Sequence, residues 1–141
     1  MKRIICAVVV GLMLMLAGCG NELTVAAAVP VEEIYSPSIT AMQFSQDTVN
    51  KFVNGTVDFT AATADLDTMT IVVSDSMGRE VYWTETDLRA FAGYVFGSLA
   101  FSIDYLALLP GQYTFTIYLT DRIGNLSNPV FGTLLVPSLL P

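Results

Sequence analysis

Tyr113-Thr114-Phe115-Thr116-Ile117-Tyr118-Leu119-Thr120-Asp121 sets Tyr113, Phe115, Ile117 and Leu119 on one parity and Thr114, Thr116, Tyr118 and Thr120 on the other. Such a period of two turns one face to a core and the other to solvent, as in an antiparallel sheet. A second stretch repeats the pattern upstream. Val95, Leu99, Phe101, Ile103 and Tyr105 share one parity, with Gly97 between, and Ser98, Ala100, Ser102 and Asp104 share the other.

Runs rich in Val, Ile, Thr, Tyr and Phe, bounded by Gly, Pro, Asn and Asp, continue outward from these two. They predict seven strands, at 39–45, 55–63, 68–74, 80–84, 94–104, 112–121 and 130–136. Asp75-Ser76-Met77-Gly78 reads as a short hairpin turn between the third and fourth, and Asp121-Arg122-Ile123-Gly124-Asn125 as another between the sixth and seventh. Residues 85–93 break the alternation. There, residues 86–91 are expected to form a single helical turn capped by Thr86, serving as a crossover between sheets.

Leu109-Pro110-Gly111-Gln112-Tyr113 resembles the turn entering the sixth strand of fibronectin type III and bacterial Ig-like domains. Asp121, Gly124, Asn125 and Ser127 resemble the D-x-x-G-N-x-S hairpin of the bacterial members. The resemblance spans residues 38–137 and implies an all-β fold, a single seven-stranded antiparallel Ig-like β-sandwich. It also implies a structural tyrosine corner at Tyr113, whose hydroxyl bonds backbone near the connection from fifth to sixth strand. Two features depart from the family pattern: the domain has no cysteine, and its tryptophan, Trp83, falls on the fourth strand.

The amino terminus has a different character. Lys2 and Arg3 precede an unbroken apolar run over residues 4–16. A secretory signal has an apolar region of about 7–15 residues, whereas a membrane-spanning helix needs about 20. The run therefore favours a cleaved signal over a retained transmembrane anchor. Leu16-Ala17-Gly18-Cys19 then resembles the lipobox of bacterial lipoproteins, which distinguishes it from the signal of an ordinary soluble secreted protein. That resemblance implies a cleaved N-terminal signal helix over 1–18 and lipid attachment at Cys19. The sulfur would carry a diacylglycerol and the amine a further acyl chain such as palmitate. Gly20, rather than Asp, after the cysteine implies the outer membrane in lipoproteins of Gram-negative bacteria, and the outer face of the membrane in a host that has only one.

Residues 19–37 are expected to be a lipidated N-terminus and flexible tether, stiffened around Pro30 and Pro37 and followed by the sandwich over 38–141. Extended at about 3.3–3.6 Å per residue, such a tether reaches roughly 60 Å. Its Ala and Val content also suits an extra edge strand.

Composition narrows the function. The formal net charge is −7, and loss of the signal leaves Lys51, Arg79, Arg89 and Arg122 against 13 acids, a poor match for nucleic acid. The chain has no histidine, and Cys6 departs with the signal, so Cys19 has no internal disulfide partner. No zinc spacing or Gly-rich phosphate loop is present. The expectation is a non-catalytic binding or structural module without cofactor or metal. Its contacts would be the membrane, through the lipid on Cys19, and an envelope protein or glycan partner.

Three chemical readings compete with that one. Asp65 and Asp67 offer a carboxylate pair for catalysis, but Leu66 between them suits a plain turn. Asp65, Asp67, Asp75, Asp104 and Asp121 lie near loop ends, where they either bind calcium or cap turns. Tyr82 and Tyr118 are expected outward on one sheet, and Tyr94 and Phe96 outward on the other. There they would stack on a carbohydrate ring or pair across strands. Trp83 shares its parity with Val81 and is expected in the core.

Overall fold

A computed structural model describes residues 35–139; the signal helix expected over 1–18, Cys19 and most of the expected tether lie outside them. Seven strands follow in chain order: β1 (Ser38–Asp47), β2 (Phe52–Thr60), β3 (Leu66–Ser74), β4 (Glu80–Asp87), β5 (Phe96–Asp104), β6 (Gly111–Asp121) and β7 (Val130–Val136). They form two antiparallel sheets, β1-β2-β5 and β4-β3-β6-β7. The hairpins β1–β2, β3–β4 and β6–β7 stay within a sheet, while the chain changes sheet after β2, β4 and β5. Three strands against four in this order make an Ig-like β-sandwich, the fold expected.

The expected helical turn is present but displaced. It is a 3-10 turn at Arg89–Phe91 whose N-cap residue, Leu88, makes no side-chain cap bond; the Arg89 N–H is taken by Asp87 Oδ1 at 2.8 Å. Thr86 stays extended because it pairs with Met69 in the β3–β4 ladder.

Inward stripes fill the space between the sheets. Val53, Val57 and Phe59 of β2 and Leu99, Phe101 and Ile103 of β5 face Ile71 and Val73 of β3 and Phe115, Ile117 and Leu119 of β6, all buried. Each such side chain contributes about 1.5–3 kcal/mol by leaving water. The three large rings share one device, since Phe59, Phe101 and Phe115 stand directly opposite Gly97, Gly55 and Gly132 on the neighbouring strand. A Cβ at Gly132 would lie 2.2 Å from Phe115 Cζ, and one at Gly55 would lie 2.6 Å from Phe101 Cζ. Glycine in a strand interior here marks the close approach of a ring. Phe44 completes the cluster, its ring edge-on to Phe115 with centroids 5.0 Å apart.

The open side between β1 and β7 is closed by two side-chain amides. Asn128 holds the backbone of Ile39 at one end of β1. At the other end, Gln46 Nε2 donates to the Leu135 carbonyl at 2.6 Å and Gln46 Oε1 accepts from Leu135 N–H at 3.2 Å.

Candidate binding surface

The register of the four-stranded sheet draws one row of side chains across its outer face: Trp83, Val72, Thr116 and Phe131, from β4 to β7. Trp83 is 52% and Phe131 61% exposed. Neighbouring strands lie about 4.8 Å apart, so the two rings bracket roughly 14 Å of sheet. Glu85, Thr70 and Tyr118 form the next row, and Asp87, Thr68 and Thr120 the one beyond. That end of the face opens into a polar cleft of about 300 Å³ lined by Asp67, Thr68, Glu85, Asp87 and Arg89. The Arg89 guanidinium grips both Asp87 oxygens, and this side-chain bond holds the Asp87 carboxyl down at about 2.

This surface corrects the expected parity of β4. Tyr82 packs against the core, whereas Trp83 and Val81 are exposed. The cause is register. Tyr82 pairs with Val73 and Trp83 with Val72, and the ladder shifts at Val73/Ser74, where Ser74 pairs with Glu80 and leaves Val81 unmatched. A bulge of one residue flips every side chain on one side of it relative to a straight count. Tyr118 does face outward, half-buried, and Tyr94 and Phe96 are 58% and 71% exposed, lining with Phe91 an apolar hollow of about 550 Å³. Phe131 carried a readable signal, the alternation against Gly132 and Leu134, that the strand prediction did not use.

Asp47, Asp75, Asp104 and Asp121 are occupied by their own turns. Asp47 Oδ1 accepts N–H bonds from Val49 and Asn50, each at 2.9 Å, and Asp75 Oδ1 accepts from Met77 and Arg79 at the same distance. Those amides, with the side chains of Asn50 and Arg79, lower both carboxyls below their ordinary range. Buried Asp121 accepts from Ile123 N–H at 3.0 Å, Asn125 N–H at 2.8 Å and Asn125 Nδ2 at 2.9 Å. Gly124 completes that loop with φ +93°. Asp104 accepts from Leu106 N–H at 2.9 Å, and Asp65 accepts the Thr63 hydroxyl. Asp67 stands apart from Asp65, in the polar cleft. Among the described residues no three acids gather as a metal site.

Ser127 Oγ accepts from Leu119 N–H at 2.8 Å and donates to the Asn128 carbonyl at 2.8 Å. The Tyr113 hydroxyl donates to the Leu109 carbonyl at 2.8 Å. Tyr105 makes a similar bond, unanticipated from the sequence, to the Asp47 carbonyl at 3.0 Å.

No protein-family model and no curated protein matches the chain. Solved structures share its fold. OgpA from Akkermansia muciniphila aligns over 72% of this chain with a TM-score of 0.56 and 9% identity, the chain spanning 28% of that protein's length. The C-terminal domain of wzt aligns over 75% of this chain and 76% of its own length, with a TM-score of 0.51 and 15% identity. A DUF3244 family protein from Bacteroides vulgatus with an immunoglobulin-like beta-sandwich fold aligns over 70% of this chain and 97% of its own, with a TM-score of 0.36 and 15% identity. The first two likenesses describe the sandwich fold alone.

Proposed function

We propose that this is a lipoprotein of the bacterial outer membrane, anchored by lipid on Cys19, whose Ig-like domain is a non-catalytic module binding an envelope protein or glycan. The observation that carries the binding half is the row from Trp83 to Phe131. Two exposed aromatic rings stand on a well-paired sheet that needs neither of them for its core. Rings held on a rigid face supply contact area at little entropic cost. Thr116 stands between the two aromatic positions in the same row, a mixture that suits the apolar face and hydroxyl rim of a sugar ring.

The anchoring half rests on Leu16-Ala17-Gly18-Cys19. Two or more acyl chains give the stable membrane attachment that one chain does not. Metabolic labelling with an alkyne-bearing palmitate tests it. Wild type should take up label and Cys19→Ala should not; label in both sinks the assignment. For the binding half, glycan arrays and cross-linking in native envelopes are compared between wild type and the double variant Trp83→Ala with Phe131→Ala. Retained binding by the double variant moves the site elsewhere.

A further inference from the structure

Among the described residues the sandwich has four edge strands, and three of them are blunted. β1 has a register shift between Ile39 and Ala41, and Asn128 and Gln46 fasten it to the β7 side. β7 receives the Gln46 clamp at Leu135 and lies between Pro129 and Pro137. β4 carries Glu80, Glu85 and Asp87 and faces the shift at Val73/Ser74. Charges, prolines, bulges and covering groups are the usual means by which proteins keep a free edge from pairing.

Among the described residues β5 has no proline, bulge or clamp of this kind. Its nine residues, Phe96–Asp104, pair with β2 in unbroken register, and among the described strands β2 is its one neighbour. Asp104, at the strand's end, is its single charge, and it contains no proline, lysine or arginine. Its outward side chains in mid-strand are Ser98, Ala100 and Ser102, all exposed and all small.

We infer that β5 is the docking edge for a second copy of this chain, pairing antiparallel with the same strand of its partner about a twofold axis at Ala100. The sequence is suited to pairing with itself. Ser98-Leu99-Ala100-Phe101-Ser102 reads nearly the same in both directions. Centred on Ala100, the pairing sets Ser98 opposite the partner's Ser102 on the outer face and Leu99 opposite the partner's Phe101 on the inner face. Asp104 falls opposite the partner's Phe96, so no like charges meet. An isologous contact requires this kind of self-complementarity. The product is a continuous six-stranded sheet, β1-β2-β5 joined to its symmetry mate, and strand addition satisfies the backbone groups of both edges together. Lipid tethering, where it holds, adds to this by confining copies to one surface and raising their effective concentration.

Disulfide trapping in the full-length protein tests the inference. Facing residues of an antiparallel pair have Cα atoms about 4.5–5.5 Å apart, within disulfide range. Ala100→Cys is therefore expected to give a reducible homodimer under mild oxidation. Gln43→Cys is the control, since Gln43 lies in the same row of the sheet at its opposite edge and is exposed. It should give no cross-link, as should wild type. Adding Ser98→Lys and Ser102→Lys to Ala100→Cys sets like charges in register and should lower cross-linking about tenfold. Ser98→Lys with Ser102→Glu should preserve it. Equal cross-linking at Gln43→Cys, no dimer at Ala100→Cys, or an Ala100→Cys adduct with a different protein each overturns the inference.

Discussion

Asn128 takes the place of a strand beside Ile39: its Oδ1 accepts the Ile39 N–H at 2.8 Å and its Nδ2 donates to the Ile39 carbonyl at 3.0 Å. A side-chain amide carries the same donor and acceptor as a peptide group, so one residue satisfies both backbone groups of an edge position. Gln46 does the same for Leu135. The two sheets are thereby joined across one open side without a continuous ladder.

Asn128→Ala should lower stability by about 1–2 kcal/mol, because it strands the donor and acceptor of Ile39, which is itself buried. Gln46→Ala, at a more exposed clamp, should cost about 0.5–1 kcal/mol. The clamps lie seven residues apart on β1, roughly 20 Å at strand spacing, so the double variant should be additive. Urea unfolding of all three measures this. Coupling above about 0.5 kcal/mol would mean that the β1 edge detaches as one unit.

Gly132→Ala should destabilise by about 2–3 kcal/mol, since its Cβ would enter the Phe115 ring and a packed core accommodates extra volume poorly. Phe115→Leu should recover part of that loss in the Gly132→Ala background while being harmful by itself. Thermal melts of the single and double variants decide the matter. An absence of rescue would place the strain in the β6–β7 ladder instead of the ring.

Tyr82 and Trp83 should behave oppositely on truncation. Tyr82→Ala removes a ring packed against the core and should cost about 1.5–3 kcal/mol, whereas Trp83→Ala should stay within about 0.5 kcal/mol. As the chain's single tryptophan, Trp83 should also emit at a wavelength typical of a solvated indole. A blue-shifted emission from the native protein would contradict its outward placement.

What the sequence made legible follows the same physics. The alternations through Phe101 and Phe115 were readable because both strands bury one face along their whole paired length. Neighbours could not mislead the count. The parity of β4 was not readable, because apolar Val81 and Trp83 sit on the outer face and the bulge that puts them there belongs to the pairing with β3. Nothing local to β4 encodes it. The aspartates were legible as turn formers or cation ligands, and their geometry favours the first. The lone pairs of Asp75, Asp104 and Asp121 already accept amides two to four residues along the chain. The Asn128 and Gln46 clamps join residues about ninety positions apart and leave no periodic trace.

Removing either Tyr113 or Tyr105 hydroxyl leaves a backbone carbonyl, of Leu109 or Asp47, without its phenolic donor. Tyr113→Phe and Tyr105→Phe should each cost about 1–2 kcal/mol while leaving ring packing intact. Urea midpoints should fall without a change in slope. A neutral Tyr113→Phe would leave the ring alone responsible for that corner's contribution.

Asp87 gives the clearest pH signature. The side-chain bond from Arg89 is the largest cause, reinforced by the Arg89 N–H, and together they bring its carboxyl from an ordinary 3.8 to about 2. A carboxyl whose folded value lies below its unfolded one adds stability that is complete above the unfolded value and lost as pH falls through the folded one. The contribution from Asp87 should therefore fade between about 3.8 and about 2. Asp47 and Asp75, lowered by amides of their own turns, should add to the acid loss in the same direction. Carbon-detected NMR titration of the carboxyls reads each group separately. Arg89→Ala should return Asp87 toward its ordinary value and leave Asp47 and Asp75 unmoved, because their partners lie in other turns. An Asp87 that already titrates near 3.8 in the native protein would mean that the Arg89 pair does not persist in solution, and the polar cleft beside Trp83 would lose its one fixed cation.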